Sequence, residues 1–346
     1  MTFSNHPSIP QQSNEIDLID LIKVLWKKKL TVILSAFLFA IIAAIYAFTA
    51  TEKWTSTAEV IAPTGVDMGA YGNAKLRFAQ IAKLPDITVD TVSKSLYAKF
   101  DRLAFSQNER RNFFSQSDEY KGLIQDQDEK AQRKILSALT TEYTAVVRPD
   151  PKKNADMFGN KISFSAQTPE NAQKTLAQFV DFINEKAFEL DKNEFQMKIA
   201  QQIDNLTNEK KEIEESLVVQ KEQNTENAKP LNAIPQSLPQ TNLNSASQSS
   251  QDSALDPAMA LLVYGDDYSR MQLRIITGQI NQLKALQNAV KGLTAQTYTY
   301  QASPSYPVQR DWPKRVILLL VGAVLGGILG CVWVIGKQIL GGNNNE

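Results

Sequence analysis

The sequence predicts an α+β membrane protein. Two transmembrane helices flank an extracytoplasmic α/β base, and a long helical arm rises from that base. Three observations carry this. Leu30 to Phe48 (LTVILSAFLFAIIAAIYAF) is 19 residues without a charge, and Val316 to Ile335 (VILLLVGAVLGGILGCVWVI) is 20. About 20 apolar residues are what a helix needs to cross a bilayer, whereas core helices of soluble domains carry shorter runs. Second, no Gly or Pro occurs from Glu170 to Lys229. One helix over residues 169–226 would be roughly 85 Å long at ~1.5 Å per residue. Third, strand-like stretches stand just after the first apolar run and just before the second, so both lie near the bilayer and can pair in one sheet.

The elements follow in order. Residues 1–29 form a cytoplasmic N-terminal arm. Within it, EIDLIDLIKVLWKKK (15–29) spaces Ile16, Ile19, Ile22 and Leu18, Leu21, Leu25 at helical intervals, acids first and bases last, which suits the helix dipole. This reads as an amphipathic helix on the inner membrane face. Transmembrane helix 1 is 30–48. It carries lysines ahead of it like a secretion signal, but its apolar run is too long and no A-x-A cleavage site follows. The α/β base is 49–167. Trp54 to Ile61 (WTSTAEVI) alternates and is rich in Thr and Val, as a strand should be, and Pro63, Gly65 and Gly69 break it. Helical pattern in short pieces runs from about Ala74 to Leu139. Tyr143 to Val147 and Lys161 to Ala166 are two further strand candidates.

Thr168-Pro169 gives an N-cap followed by Pro at the first helical position, and opens the long outgoing helix, 168–226. Its outer half carries Phe195, Ile199, Ile203, Leu206, Ile213 and Leu217, a thin apolar stripe between charges. The Glu/Lys run from Glu209 to Glu222 reads as a solvated face. Residues 227–256, with Pro230, Pro235, Pro239 and a Ser/Gln/Asn tract, form a polar tip loop whose composition cannot bury a core. A returning helix, 257–295, is long enough to pack back on the outgoing one. Residues 296–315 hold a last strand (Thr297 to Ala302) and a proline-rich connector, 316–335 is transmembrane helix 2, and 336–346 is a cytoplasmic tail.

Orientation follows flanking Lys and Arg. Lys23, Lys27, Lys28 and Lys29 precede the first span and only Lys53 follows it closely, which puts the N-terminus in the cytoplasm. The second span reads the other way: Arg310, Lys314 and Arg315 precede it and Lys337 follows. The first helix usually dominates and long loops cross with little regard to charge, so both ends are read as cytoplasmic. Trp26, Trp54, Trp312 and Trp333 all stand at segment edges, where interfacial aromatics belong.

The inventory for catalysis is thin. The chain has 37 basic and 37 acidic residues, so no clustered cationic excess argues for nucleic acid. His6 and Cys331 are the only His and Cys. A Cys/His zinc site, a His-based triad and an intramolecular disulfide are all excluded by count. No Walker A sequence occurs. Asp126-Gln127-Asp128-Glu129 resembles the start of a calcium loop but lacks the turn glycine and terminal Glu. Asp266-Asp267 reads as a solvated helix face. No catalytic residue, metal ligand or cofactor is expected.

Two features point to packing instead. Gly322, Gly326 and Gly330 repeat at four on one face of the second span, with Gly327 beside them. Small residues let transmembrane helices approach closely. Pro304, Pro307 and Pro313 donate no backbone hydrogen bond and favour extended chain, which makes a stiff link from the last strand to the membrane.

Together these parts resemble the polysaccharide co-polymerases, the Wzz chain-length-determinant family of Gram-negative bacteria. The residues that carry the resemblance are NEIDLIDLIKVLWKKKLTV into the first span, KWTSTAEVIAP after it, and YQASPSYPVQRDWPKR leading into the Gly-rich second span. Pro304, Pro307 and Pro313 match the family's proline motif; Trp312 stands where members often have Ser. The middle of the chain matches in architecture only. The resemblance implies cytoplasmic termini, a periplasmic base with a long helix, and ring-like homo-oligomers in the inner membrane. It also implies action with the polymerase that extends undecaprenyl-pyrophosphate-linked glycans, control of O-antigen (lipopolysaccharide) modal length, and no catalytic residues. The terminal stretches look most like members that specify long O-antigen chains.

A neighbouring reading is a two-span adaptor for capsule or exopolysaccharide export that works with a separate tyrosine kinase. Fused versions carry a Walker A domain and a tyrosine-rich tail after the second span, and here 11 residues without tyrosine follow it. A two-span periplasmic sensor would need an output domain in the same place. An efflux adaptor would show one anchor and paired β-rich domains.

Overall fold

The computed structural model describes residues 25–150, 152–153, 156–227 and 257–341. The expected amphipathic helix up to residue 24, the tip loop from 228 to 256 and the last five residues of the tail lie outside the described residues. The elements are α1 (Lys29–Thr49), β1 (Trp54–Ile61), α2 (Gly65–Ile81), α3 (Val89–Ala104), α4 (Gln107–Gln116), α5 (Asp118–Leu123), α6 (Glu129–Thr141), β2 (Thr144–Val147), β3 (Asn160–Ala166), α7 (Pro169–Asn227), α8 (Pro257–Lys291), β4 (Thr299–Ala302) and α9 (Arg315–Gly341). Of the described residues, α1 and α9 hold the two segments long and apolar enough to cross a membrane.

The four strands form one antiparallel sheet in the order β2-β3-β1-β4. The strand that leaves α1 therefore lies beside the strand that leads to α9. Register runs from Trp54 opposite Ala166 to Val60 opposite Asn160, with a shift between Glu59 and Val60 on the β4 side. Alternation places Ser56, Ala58 and Val60 on the buried face. That face meets the first turns of α7. Ala172, Leu176, Phe179, Val180, Ile183 and Ala187 pack with Ile162 and Phe164, and with Phe100 and Phe114 from the surrounding helices.

Beyond Ala187, α7 leaves the sheet. At 59 residues it is roughly 88 Å long. A second apolar cluster forms there: Phe188, Phe195, Ile199 and Leu206 from α7 meet Ile276, Ile280, Leu283, Leu286 and Val290 from α8. Met68, Tyr71 and Phe78 of α2 and Val92 and Leu96 of α3 close its side. Farther out the charged run is a solvated face, with Lys210–Glu214 at 3.5 Å and Lys211–Glu215 at 3.6 Å as exposed i,i+4 pairs.

Three local expectations need correction. Helix after β1 begins at Gly65, not near Ala74. Thr64 and Asp67 form a capping box that starts it, and Gly69, at φ +50°, kinks the helix without ending it. The returning helix stops at Lys291, just before Gly292, rather than at 295. The last strand begins at Thr299, because Thr297 is drawn off to α7: its amide and hydroxyl both donate to Asn184 Oδ1 at 2.8 Å. Asp128 of the calcium-like stretch caps α6, its carboxylate accepting from the Ala131 amide at 2.7 Å.

Candidate functional site

The two apolar helices touch along the glycine face. A Cβ placed on Gly322 would lie 2.5 Å from the Ala43 Cβ. One on Gly326 would lie 2.7 Å from both the Phe39 Cβ and the Ser35 carbonyl, and one on Gly330 3.0 Å from the Ser35 Cβ. At these positions α9 lays its backbone against α1, so only hydrogen fits. The Ser35 hydroxyl donates to the Gly326 carbonyl at 2.7 Å, an interhelical hydrogen bond inside the apolar layer. Gly327 is different. A Cβ there meets nothing within 4 Å, because the next residue on a helix is turned about 100° away. Gly327 is not part of the contact with α1.

An ionic cluster closes the pair at the end nearer the sheet. Glu52, between α1 and β1, accepts on Oε1 from Arg310 Nη1 at 2.7 Å and Arg315 Nη2 at 2.9 Å. Trp54 Nε1 donates to its Oε2 at 3.2 Å. The hydrogen bond from Arg310 and then that from Trp54 hold the Glu52 carboxyl below the usual carboxylate range. The Arg315 guanidinium also lies 4.4 Å over the Phe48 ring. Two of the three cations that precede the second apolar segment are therefore paired with one acid that follows the first. Glu52→Lys would gather three unpaired cations at this surface. With a reporter fused to the C-terminus, the substituted chain is expected to show mixed sidedness where the native chain shows one.

The proline-rich connector is bonded along its length. Prolines donate nothing, so the residues between them supply the bonds. The Ser305 amide donates to the Thr57 carbonyl at 2.9 Å, and the Ser56 hydroxyl to the Ser305 carbonyl at 2.7 Å. The Asp311 amide donates to the Lys53 carbonyl, and the Lys53 amide to the Trp312 carbonyl, both at 2.9 Å. Two bonds reach the start of the long helix: Gln173 Nε2 donates to the Pro304 carbonyl at 2.8 Å, and the Tyr306 hydroxyl to Glu170 Oε1 at 2.6 Å. Pro307 and Pro313 are buried and Pro304 half-buried. The connector thus joins α9 to β1 and to the first turns of α7.

A buried polar hub stands where α7 leaves the sheet. Asp191 is 1% exposed. It accepts from the Tyr71 hydroxyl at 2.6 Å, Lys75 Nζ at 2.5 Å and Lys99 Nζ at 2.9 Å, and Lys99 also reaches Glu194 at 3.0 Å. Tyr71 packs edge-on against Phe188 at 4.9 Å and Phe195 at 5.8 Å. Burial alone would raise the Asp191 carboxyl; the charge of Lys75 and the bonds from Lys75, Tyr71 and Lys99 outweigh it and hold the group low. Burial pushes Lys75 down and Tyr71 up. Sequence reading missed this hub. Its signal was an acid seated in the apolar row Phe188, Phe195, Ile199. Among the described residues no group of three or more His, Cys, Asp or Glu side chains is placed to hold a metal ion.

Residues 14–117 match the family model described as Wzz, chain length determinant protein. A chain length determinant protein of Escherichia coli O111:H- is 27% identical over 348 residues, covering 95% of this chain and 93% of the relative. One from Salmonella typhimurium (strain LT2) is 26% identical over 361 residues, covering 98% and 96%. A solved full-length bacterial polysaccharide co-polymerase, 22% identical, aligns over 95% of this chain and 100% of its own with a TM-score of 0.59, so the fold is shared.

Proposed function

We propose that this chain, a member of the Wzz chain length determinant family, regulates the length of O-antigen chains as a non-catalytic partner of the inner-membrane polysaccharide polymerase. The observation that carries the reading is the double anchorage of the base. The start of β1 and the connector that follows β4 are bonded to each other and to the first turns of α7. Both lead directly into α1 and α9, which pack face to face through Gly322, Gly326 and Gly330. A long helix so mounted holds a fixed height and tilt over the bilayer, which is what a length gauge requires and a solvent-exposed catalyst does not.

The working unit is a homo-oligomeric ring in the inner membrane, with both termini cytoplasmic and the base and arm in the periplasm. Exposed apolar side chains along the arm, Met197 at 64%, Met271 at 60% and Ile275 at 44%, support side-by-side packing of copies. The polymerase and its undecaprenyl-linked glycan meet the ring at the membrane.

The test is the size distribution of lipopolysaccharide on a gel, in the native host with and without the gene. A clustered ladder is expected to become random and short on deletion and to recover on complementation. An unchanged ladder with altered capsule would overturn this reading in favour of an export adaptor working with a separate kinase.

A further inference from the structure

A cleft of about 220 Å³ opens between α2, α3 and α7 beside the buried hub. Its floor is Lys75 and Lys99, 13% and 14% exposed, tied to Asp191 beneath them. An ammonium has three donors. Among the described residues Lys75 hydrogen-bonds Asp191 and otherwise stands over the rings of Tyr71 at 5.3 Å and Phe195 at 5.5 Å, so the acid is its one hydrogen-bond acceptor and it can take another from the cleft. Phe78, Val92, Ile87 and Phe195 supply apolar wall. The lip carries the hydroxyls of Thr91 and Ser95 and the charges of Asp86, Glu194 and Lys198.

The chemistry of this lining narrows the ligand. Three lysines face three carboxylates, so the cleft is balanced and selects no ion. It offers donors and acceptors around an apolar wall, which suits a neutral, hydroxyl-rich ring with one apolar substituent. The volume lies below the ~300–1,000 Å³ of pockets for drug-sized ligands, so one ring fits rather than a chain. An amide carbonyl is the acceptor that matches a deep ammonium without adding charge, and a methyl beside it matches Phe78 and Phe195. An N-acetylated hexosamine carries both.

We propose that the cleft between α2, α3 and α7 binds one N-acetylated hexosamine unit of a glycan, with the acetamido carbonyl accepting from Lys75 and its methyl on the Phe78–Phe195 wall. The choice of a glycan rests on the length-control reading; the cleft and its donor set do not. Contact with the growing chain at the root of the arm would place sugar recognition beside the hub that fixes where the arm leaves the base.

The experiment uses the full chain in detergent and saturation-transfer NMR. The probes are the methyl glycosides of N-acetylglucosamine and N-acetylgalactosamine, with methyl glucoside as control. Saturation of an acetamido methyl by the native chain, with none on methyl glucoside, is the expected result. Lys75→Met is expected to weaken binding about tenfold, the loss of one hydrogen bond from a charged donor. That variant disturbs Asp191, so Ser95→Trp provides a second test: Ser95 is exposed at the lip, and the indole obstructs the cleft while Lys75, Lys99 and Asp191 are all retained. No acetamido saturation by the native chain, or native-like binding in both variants, would overturn the proposal. So would an oligomer that falls apart in Ser95→Trp, which would make the cleft a seam between copies. Absent binding with a gene-dependent ladder sinks the cleft alone; binding with a gene-independent ladder sinks length control alone.

Discussion

Gly326→Leu is expected to force α1 and α9 apart and to turn the clustered polysaccharide ladder into a random one, while Gly327→Leu leaves the ladder clustered. The two residues are neighbours with the same chemistry, but their surroundings differ. At Gly326 the first added carbon would already lie 2.7 Å from the Phe39 Cβ and the Ser35 carbonyl and 2.9 Å from the Ala36 Cα. Two of those three atoms are backbone, which no rotamer change can move. Overpacking of this kind costs ~1–3 kcal/mol per site where side chains can give way, and here the helices themselves must shift. The shift also breaks the bond from the Ser35 hydroxyl to the Gly326 carbonyl, about 1 kcal/mol more for an interhelical bond in lipid. No hydrophobic drive reunites the helices afterwards, because lipid tails are as apolar as Leu. The contrast between the two variants separates close packing from a general intolerance of Leu in the span. Clustered ladders in both would show that the glycine face has no part in length control, and random ladders in both that the span tolerates Leu nowhere.

How much of this was legible in the sequence depended on how local the cause was. β1 was read to the residue and β3 to within one, because alternation is written in the strands themselves, with Thr and Val in β1 and with Ile and Phe interleaved with serines in β3. The uninterrupted α7 was legible because nothing in 60 residues could stop it. Pairing of β1 with β4 followed from topology alone, since both must stand at the membrane. Gly65 and Gly69 misled because glycine marks both breaks and kinks, and the Thr64–Asp67 box that decides between them is weak in isolation. The glycine face of α9 could be drawn on a helical wheel, but which glycines meet α1 is set by the rotation of the helix, and that placed Gly327 outside. The two ionic clusters were invisible for a different reason. Glu52 lies 258 positions from Arg310 and 263 from Arg315, and Asp191 lies 120 from Tyr71. Each of these acids reads as a surface residue until its partners arrive. The run of cations ahead of the second span was the half of the Glu52 cluster that the sequence displayed, without the acid that two of them share.

Asp191→Ala is expected to destabilise the extramembrane domain more than any other single polar substitution. The loss leaves Lys75, Lys99 and Tyr71 without their common acceptor, in a cluster walled by Phe188 and Phe195. Removing one partner of a buried ionic group costs ~3–5 kcal/mol, because the remaining charges stay desolvated. For a domain of this size that lowers the melting temperature by roughly 10 °C in a thermal scan. Replacing the whole hub tests the cause. Asp191→Leu combined with Lys75→Met and Lys99→Met leaves no buried orphan charge, since the side chain of Glu194, which loses Lys99, is 40% exposed, and is expected to recover most of the stability that Asp191→Ala loses. If the triple variant is as unstable as the single one, the hub's packing and not its charge is what matters. The pH dependence gives a further handle. The folded carboxyl titrates below the ordinary value of 3.8, so the unfolded chain takes up the proton first. The hub's stabilisation is therefore complete above that value and fades as pH falls through the lower folded one. The native chain should lose melting temperature on acidification below about pH 4, and the triple variant should lose less over the same interval. The hub lies where α7 has left the sheet and not yet met most of α8, so loosening it frees the arm without unfolding the base. A variant that keeps its sheet and membrane pair but loses the set of its arm would then report directly on whether arm position governs polysaccharide length.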